Sequence, residues 1–125
     1  MIVSIGVDII EVARIREVLA RTPHFAERVF TPAERVYCES RGVVAAQHYA
    51  ARFAAKEATL KAFQTGWRGG IAWQDVEIGL LESGAPVLIF HGRVLELFTL
   101  SGATAAHISL SHTSEHAIAQ VVLER

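Results

Sequence analysis

One long helical run, from about Val44 to just before Gly66, constrains this chain more than any other part of it. At about 100° per residue, Tyr49, Phe53, Leu60 and Phe63 fall within one arc, and Lys56 falls inside the same arc. Glu57 borders that arc, and Lys61 stands one turn further on, in the i, i+4 order that favours Glu on the N-terminal side. The other side carries Ala51, Ala55, Ala58 and Ala62, small enough to let another backbone or subunit come close. A helix covered on more than one side puts its charges where burial excludes them, because an unpaired buried charge is strongly penalised. A partly buried carboxylate on this helix needs compensation, so a cation is expected nearby.

The opening segment supplies one acid. Val3, Ile5, Val7 and Ile9 alternate with Ser4, Gly6 and Asp8, so Asp8 ends a small polar strip on an otherwise apolar strand. Two arrangements compete for these charges. In one, Lys61 pairs with Glu57, Lys56 runs its aliphatic stem out to solvent, and Asp8 caps a helix starting near Glu11. In the other, Asp8 and Glu57 converge on a divalent ion while the lysines handle phosphate. Two carboxylates about 4 Å apart repel by roughly 4 kcal/mol at an effective dielectric near 20. A Mg²⁺ ion between them would relieve that repulsion.

Length and composition narrow the classes. At 125 residues and 51% hydrophobic side chains, the chain reads as a single domain, 1–125, with enough apolar material for a core. Mean hydropathy is positive, yet no uncharged apolar run approaches the length of a membrane span. The first apolar run meets Asp8 too early for a signal peptide and has no basic leader, so the expected location is cytoplasmic. A lone cysteine, Cys38, leaves no internal disulfide and no cysteine metal cluster. The net charge of −1 excludes a globally basic nucleic-acid binder. Positive charge is nevertheless concentrated locally: Arg14, Arg16, Arg21 and Arg28 follow Asp8, and Arg14 and Arg21 share a helix face partly opposite Ile15, Val18 and Leu19.

The remaining elements alternate without repeats. Thr31-Pro32-Ala33-Glu34 is an N-cap, a proline at the first helical position and an acidic first turn, opening a helix to about Ser40 that Gly42 ends. Asp75 to Ile78 and Pro86 to Phe90 read as strands, Arg93 to Leu100 as a helix stopping at Gly102. His107 to Ser111 and His116 to Leu123 form a hairpin across Thr113-Ser114-Glu115. Late consecutive strands after helices indicate an α+β fold with an antiparallel sheet. Trp67, Trp73, Phe90, Leu97 and Phe98 leave an apolar excess expected to meet another subunit in part. Other site types fail: the six histidines include no HExxH, no GxSxG precedes a helix, and Gly66, Gly69 and Gly70 lack the ending of a P-loop.

Two stretches carry a family resemblance. GVDIIEVARI (6–15) and RFAAKEATLKAF (52–63) resemble the two signature motifs of the 4′-phosphopantetheinyl transferases, in their short bacterial holo-acyl-carrier-protein synthase form. The similarity extends over TGWRGGIAW (65–73), SGAP (83–86) and SLSHT (109–113), and so over essentially the whole chain. It implies an antiparallel sheet packed with a long central helix, one half of the pseudo-dimeric architecture of larger relatives, assembled as a homotrimer with interfacial active sites. The implied reaction moves the phosphopantetheine arm of coenzyme A to a serine of apo acyl carrier protein in fatty acid biosynthesis, releasing adenosine 3′,5′-bisphosphate.

The resemblance also implies roles. Asp8 and Glu57 match the metal-binding acids and would hold Mg²⁺; with Lys61, which would contact the pyrophosphate, they form the catalytic set. Arg52 and Lys56 would help bind the coenzyme phosphates, with Gly66, Pro86 and His112 as further contacts. Arg14 and Arg21, with Arg28 behind them, would receive the acidic carrier. Glu57 or a metal-bound water would serve as base for the carrier serine. Many relatives carry basic side chains just ahead of the long helix, whereas Gly42-Val43-Val44-Ala45 is uncharged, which leaves part of the phosphate contact to Arg41 or Arg68. Two other classes are open: a noncatalytic carrier-binding module, and a metal-dependent hydrolase that cleaves coenzyme A with water.

Overall fold

A computed structural model describes residues 1–66 and 69–125. In chain order the elements are β1 (Ile2–Glu11), α1 (Val12–Arg21), α2 (Phe25–Val29), α3 (Pro32–Glu39), a 3-10 turn (Gly42–Val44), α4 (Ala45–Phe63), a second 3-10 turn (Trp73–Asp75), β2 (Val76–Leu80), β3 (Pro86–Phe90), α5 (Gly92–Leu100), β4 (Ala105–His112) and β5 (His116–Glu124). The fold is α+β. Strands β1, β5 and β4 make an antiparallel sheet in that order, and β2 and β3 make a separate antiparallel pair.

Local chemistry explains several boundaries. Thr31 Oγ1 accepts from Glu34 N at 3.2 Å while Thr31 N donates to Glu34 Oε1 at 2.8 Å, a reciprocal capping box with Pro32 in the first turn of α3. Helix α4 ends where Gln64 turns left-handed at φ 61° and its N–H returns to the carbonyls of Leu60 and Lys61. Helix α2, five residues long, had no distinct signature in the sequence. Asp8 lies in β1 opposite Ala119, and Glu11 is the residue that precedes α1, so Asp8 is not the cap of that helix.

Helix α4 lies on the inner face of the three-stranded sheet. Its Ala54, Ala55 and Ala58 pack with Ala119, Val121 and Leu123 of β5 and with Val76, Ile78 and Val94. A second cluster, around Val12, Ile15, Phe30, Cys38, Tyr49 and Ala117, joins α1, α2 and α3 to the start of α4. The small side chains on α4 thus admit a backbone of the same chain.

Strand β1 keeps its alternation but buries the row opposite to the usual one. Ser4, Gly6 and Asp8 face α4, whereas Ile5, Val7 and Ile9 are 59%, 52% and 63% exposed. Val3 departs from the apolar row and packs on the core, next to a register irregularity between Ile2 and Ser4. Across the ladder, Ile9 stands beside Ile118, which is itself exposed, so the outer sheet face carries a continuous apolar strip. Three of the rings expected in the apolar excess are instead spent inside the chain. Trp73 stacks on Phe53, and Phe90 sits between Phe63 and Phe98. Trp67 lies outside the described residues. Among the described residues, no helix is long and apolar enough to cross a membrane.

Candidate active site

Asp8 from β1, Arg14, Ile15 and Val18 from α1, Phe25 from α2, and Phe53 and Glu57 from α4 line one cleft of about 320 Å³. Its lining combines apolar side chains with the charged Asp8, Arg14 and Glu57. Lys61, one helical turn beyond Glu57, donates from Nζ to Asp8 Oδ1 at 2.8 Å and to Val7 O at 3.1 Å. The Lys61 side chain is 55% exposed, so the pair adds at most about 1 kcal/mol of stability. Its value is directional: a solvent-accessible cation is held beside a carboxylate that lines the cleft.

The donor set suits a hard cation. Among the described residues, no group of three or more His, Cys, Asp and Glu side chains could hold a metal by itself. Two carboxylates from different elements do line the cleft, and Mg²⁺ takes one or two protein carboxylates, keeps waters and binds substrate phosphates. Asp8 and Glu57 therefore fit Mg²⁺ as partial ligands. Helix α4 and strand β1 supply one each, so their spacing follows from how closely the two elements pack.

Lys56 requires a correction. It neither snorkels to solvent nor has surface to offer a coenzyme phosphate: its side chain is fully buried, with Nζ 3.0 Å from Glu34 Oε1. It also donates to the carbonyls of Trp73 and Val76. Glu34 completes the arrangement by accepting from Ile78 N at 2.8 Å through Oε2. Burial pushes the Lys56 ammonium below its ordinary range, and Glu34 opposes that shift. The arc that placed Lys56 among aromatic residues indicated burial; the partner on α3 had no signal in the helix itself.

A second group of polar residues gathers on another side of α4. His112, at the end of β4, shares a hydrogen bond of 2.9 Å with Gln47 Oε1, and its ring lies 4.7 Å from that of His48. Arg52 is 3% exposed and stacks its guanidinium 4.3 Å from the Tyr37 ring centroid, with Arg41 on the same ring at 5.8 Å. The Arg52 Nε is buried without a hydrogen-bond partner. Burial, followed by His112, Arg52 and Arg41, lowers His48 to about 4. By helical rotation Arg52 lies about 140° and His48 about 180° from Glu57. The two groups therefore do not meet in one cleft of one protomer.

The other expected residues are dispersed. Pro86 begins β3 on the separate two-stranded sheet, and Gly66 follows α4 with φ 65°. Arg21 is exposed and pairs with Glu17 at 2.9 Å, while Arg28 lies on α2, exposed. Arg14 alone of the three borders the cleft. Arg68 lies outside the described residues. Sequence reasoning missed Phe25, Ile10 and Val18 as cleft walls, Glu34 as a buried polar partner and His48 as a half-buried one; only tertiary packing brings them to these positions.

Comparison with known proteins identifies the family and the fold. The model of the 4′-phosphopantetheinyl transferase superfamily matches residues 4–121. A holo-[acyl-carrier-protein] synthase of Koribacter versatilis is 46% identical over 125 residues, covering 99% of each chain. Among solved structures, the holo-[acyl-carrier-protein] synthase of Neisseria meningitidis superposes with a TM-score of 0.86 at 34% identity over 100% of both chains. The Bacillus anthracis synthase, solved in complex with CoA (3′,5′-ADP), superposes at 0.81 with 39% identity over 99% of this chain and 97% of its own.

Proposed function

The chain belongs to the 4′-phosphopantetheinyl transferase superfamily, and from that membership we propose that it converts apo acyl carrier protein to the holo form with coenzyme A as donor. The observation that carries this reading is the single cleft shared by Asp8, Glu57 and Arg14, with Lys61 held against Asp8. The carrier serine oxygen attacks the phosphorus bearing the pantetheine arm. The bond from that phosphorus to the bridging oxygen breaks, and adenosine 3′,5′-bisphosphate leaves with the electron pair. The serine proton passes to a base in the cleft, either Glu57 or a water.

Each side chain has a defined task in that exchange. Asp8 and Glu57 would hold Mg²⁺, which when bound supplies positive charge against the phosphate oxygens. Lys61 swings between Asp8 and the leaving phosphate, its exposure giving it the freedom to do so. Arg14 stands at the rim where an acidic carrier would approach, and the apolar walls from Ile15, Val18, Phe25 and Phe53 exclude water. The carrier that fits this reading serves fatty acid biosynthesis in the cytoplasm.

A homotrimer completes the proposal. The outer sheet face exposes Ile5, Val7, Ile9 and Ile118, a strip that a neighbouring copy would cover. A neighbour could also bring its Arg52, Arg41 and His112 group toward the Asp8 cleft, which one protomer cannot do. Native mass spectrometry showing only monomer at working concentration would remove this part.

The deciding experiment is intact-mass spectrometry of apo acyl carrier protein incubated with this protein and coenzyme A, with Mg²⁺ or with chelator. A gain of one phosphopantetheine that requires the metal is the expected result. Unmodified carrier with intact coenzyme A would turn the reading to a carrier-binding module, and consumed coenzyme A with unmodified carrier to a hydrolase.

A further inference from the structure

Strand β1 meets helix α4 at Gly6 with no room for a side chain. A methyl built there would lie 2.0 Å from Ala58 O and 2.8 Å from Ala62 N, where real contacts do not fall below 3.0 Å. Both obstacles are backbone atoms of a helix, so no rotamer change relieves the clash. Strand and helix would have to part by about 1 Å, the difference between 2.0 Å and 3.0 Å. The seam is stitched on both sides of this point. Ser4 Oγ donates to Ala62 O at 2.7 Å, and Lys61 Nζ donates to Val7 O at 3.1 Å and to Asp8 Oδ1 at 2.8 Å.

The position of the contact gives it a consequence for the site. Gly6 precedes Asp8 by two residues and faces the same side of the strand. Ala58, whose carbonyl it touches, follows Glu57 directly. Each carboxylate of the cleft is therefore carried within two residues of this close approach between β1 and α4. We propose that Gly6 is a positioning residue that sets the distance between Asp8 and Glu57, and with it the size of divalent ion the cleft prefers; this rests on the transferase reading above. Mg²⁺ demands short bonds of about 2.0–2.1 Å in near-octahedral geometry, whereas Ca²⁺ accepts longer and more variable ones of about 2.3–2.6 Å. Opening the seam by about an ångström should penalise the small ion more than the large one.

The test is calorimetric binding of Mg²⁺ and of Ca²⁺ to wild type and Gly6→Ala, each with coenzyme A present, alongside thermal melts. Gly6→Ala is expected to remain folded and to lose at least tenfold in its preference for Mg²⁺ over Ca²⁺. A loss of stability alone, with the preference unchanged, would overturn the proposal, since a purely structural contact has no reason to discriminate ions by size. Should Gly6→Ala fail to fold, Ser4→Ala carries the test by loosening the same seam without adding an atom. A roughly threefold fall in preference is then expected, and no change overturns the inference. Wild type that takes up neither ion would overturn the metal reading itself; wild-type uptake with an unchanged preference in the variants overturns the role of Gly6 alone.

Discussion

The Lys56 ammonium lies 3.0 Å from the Glu34 carboxylate, with neither side chain exposed to solvent. This pair ties α4 to α3; through Ile78 N and the Val76 carbonyl it ties both helices to β2, and through the Trp73 carbonyl to the 3-10 turn before that strand. Removing one partner leaves an uncompensated buried charge, which typically costs about 3–5 kcal/mol. Lys56→Met is expected to fall in that range in urea denaturation. Lys56→Met combined with Glu34→Gln should cost less than the sum of the two single changes, the excess in the cycle measuring the coupling.

The cleft acids separate from the fold. Asp8→Ala and Glu57→Ala are each expected to reduce transfer about 100-fold or more at saturating Mg²⁺. Both residues line the cleft outside the two apolar clusters, so the melting temperature should hold. Turnover near wild type in either variant would remove the assignment of that acid.

Arg14 borders the cleft, so reversing its charge should act on carrier encounter more than on chemistry. Arg14→Glu is expected to raise the KM for carrier about tenfold, to leave kcat close to wild type and to flatten the dependence of kcat/KM on salt. Steady-state kinetics at two ionic strengths measure all three. An unchanged carrier KM would contradict a docking role for α1.

His48 gives a pH dependence. Burial and the neighbouring His112, Arg52 and Arg41 lower it from 6.5 to about 4 in the native state. Between those values the unfolded chain binds the proton and the folded chain does not, so this residue makes stability fall as pH drops from 6.5 toward 4. Denaturant midpoints across that window should fall more steeply for wild type than for His48→Gln. Equal slopes would mean that His48 titrates normally.

Much of the frame was legible because it depends on local rules. The capping box at Thr31 and Glu34, the run of α4 and the hairpin after Thr113 all follow from residues close in sequence. Local rules do not say which face of β1 turns inward. The same alternation would serve either packing, and the choice follows from the fit of Gly6 to the α4 backbone. Lys56 was misplaced for a similar reason, since its partner stands 22 positions away on another helix. The candidate residues were legible as a list, but their division between two sides of α4 was not: sequence motifs record residue type and spacing along the chain, whereas the division follows from rotation about the helix axis.

The chain contains two lysines, Lys56 and Lys61. With one sealed inside and the other at the cleft, the folded protein presents only one lysine to the outside. An amine-selective reagent should thus place its label on Lys61, besides the N-terminal amine, without any residue being engineered. The extent of labelling becomes a direct readout of cleft occupancy, and a second lysine adduct becomes a signal that the protein has unfolded.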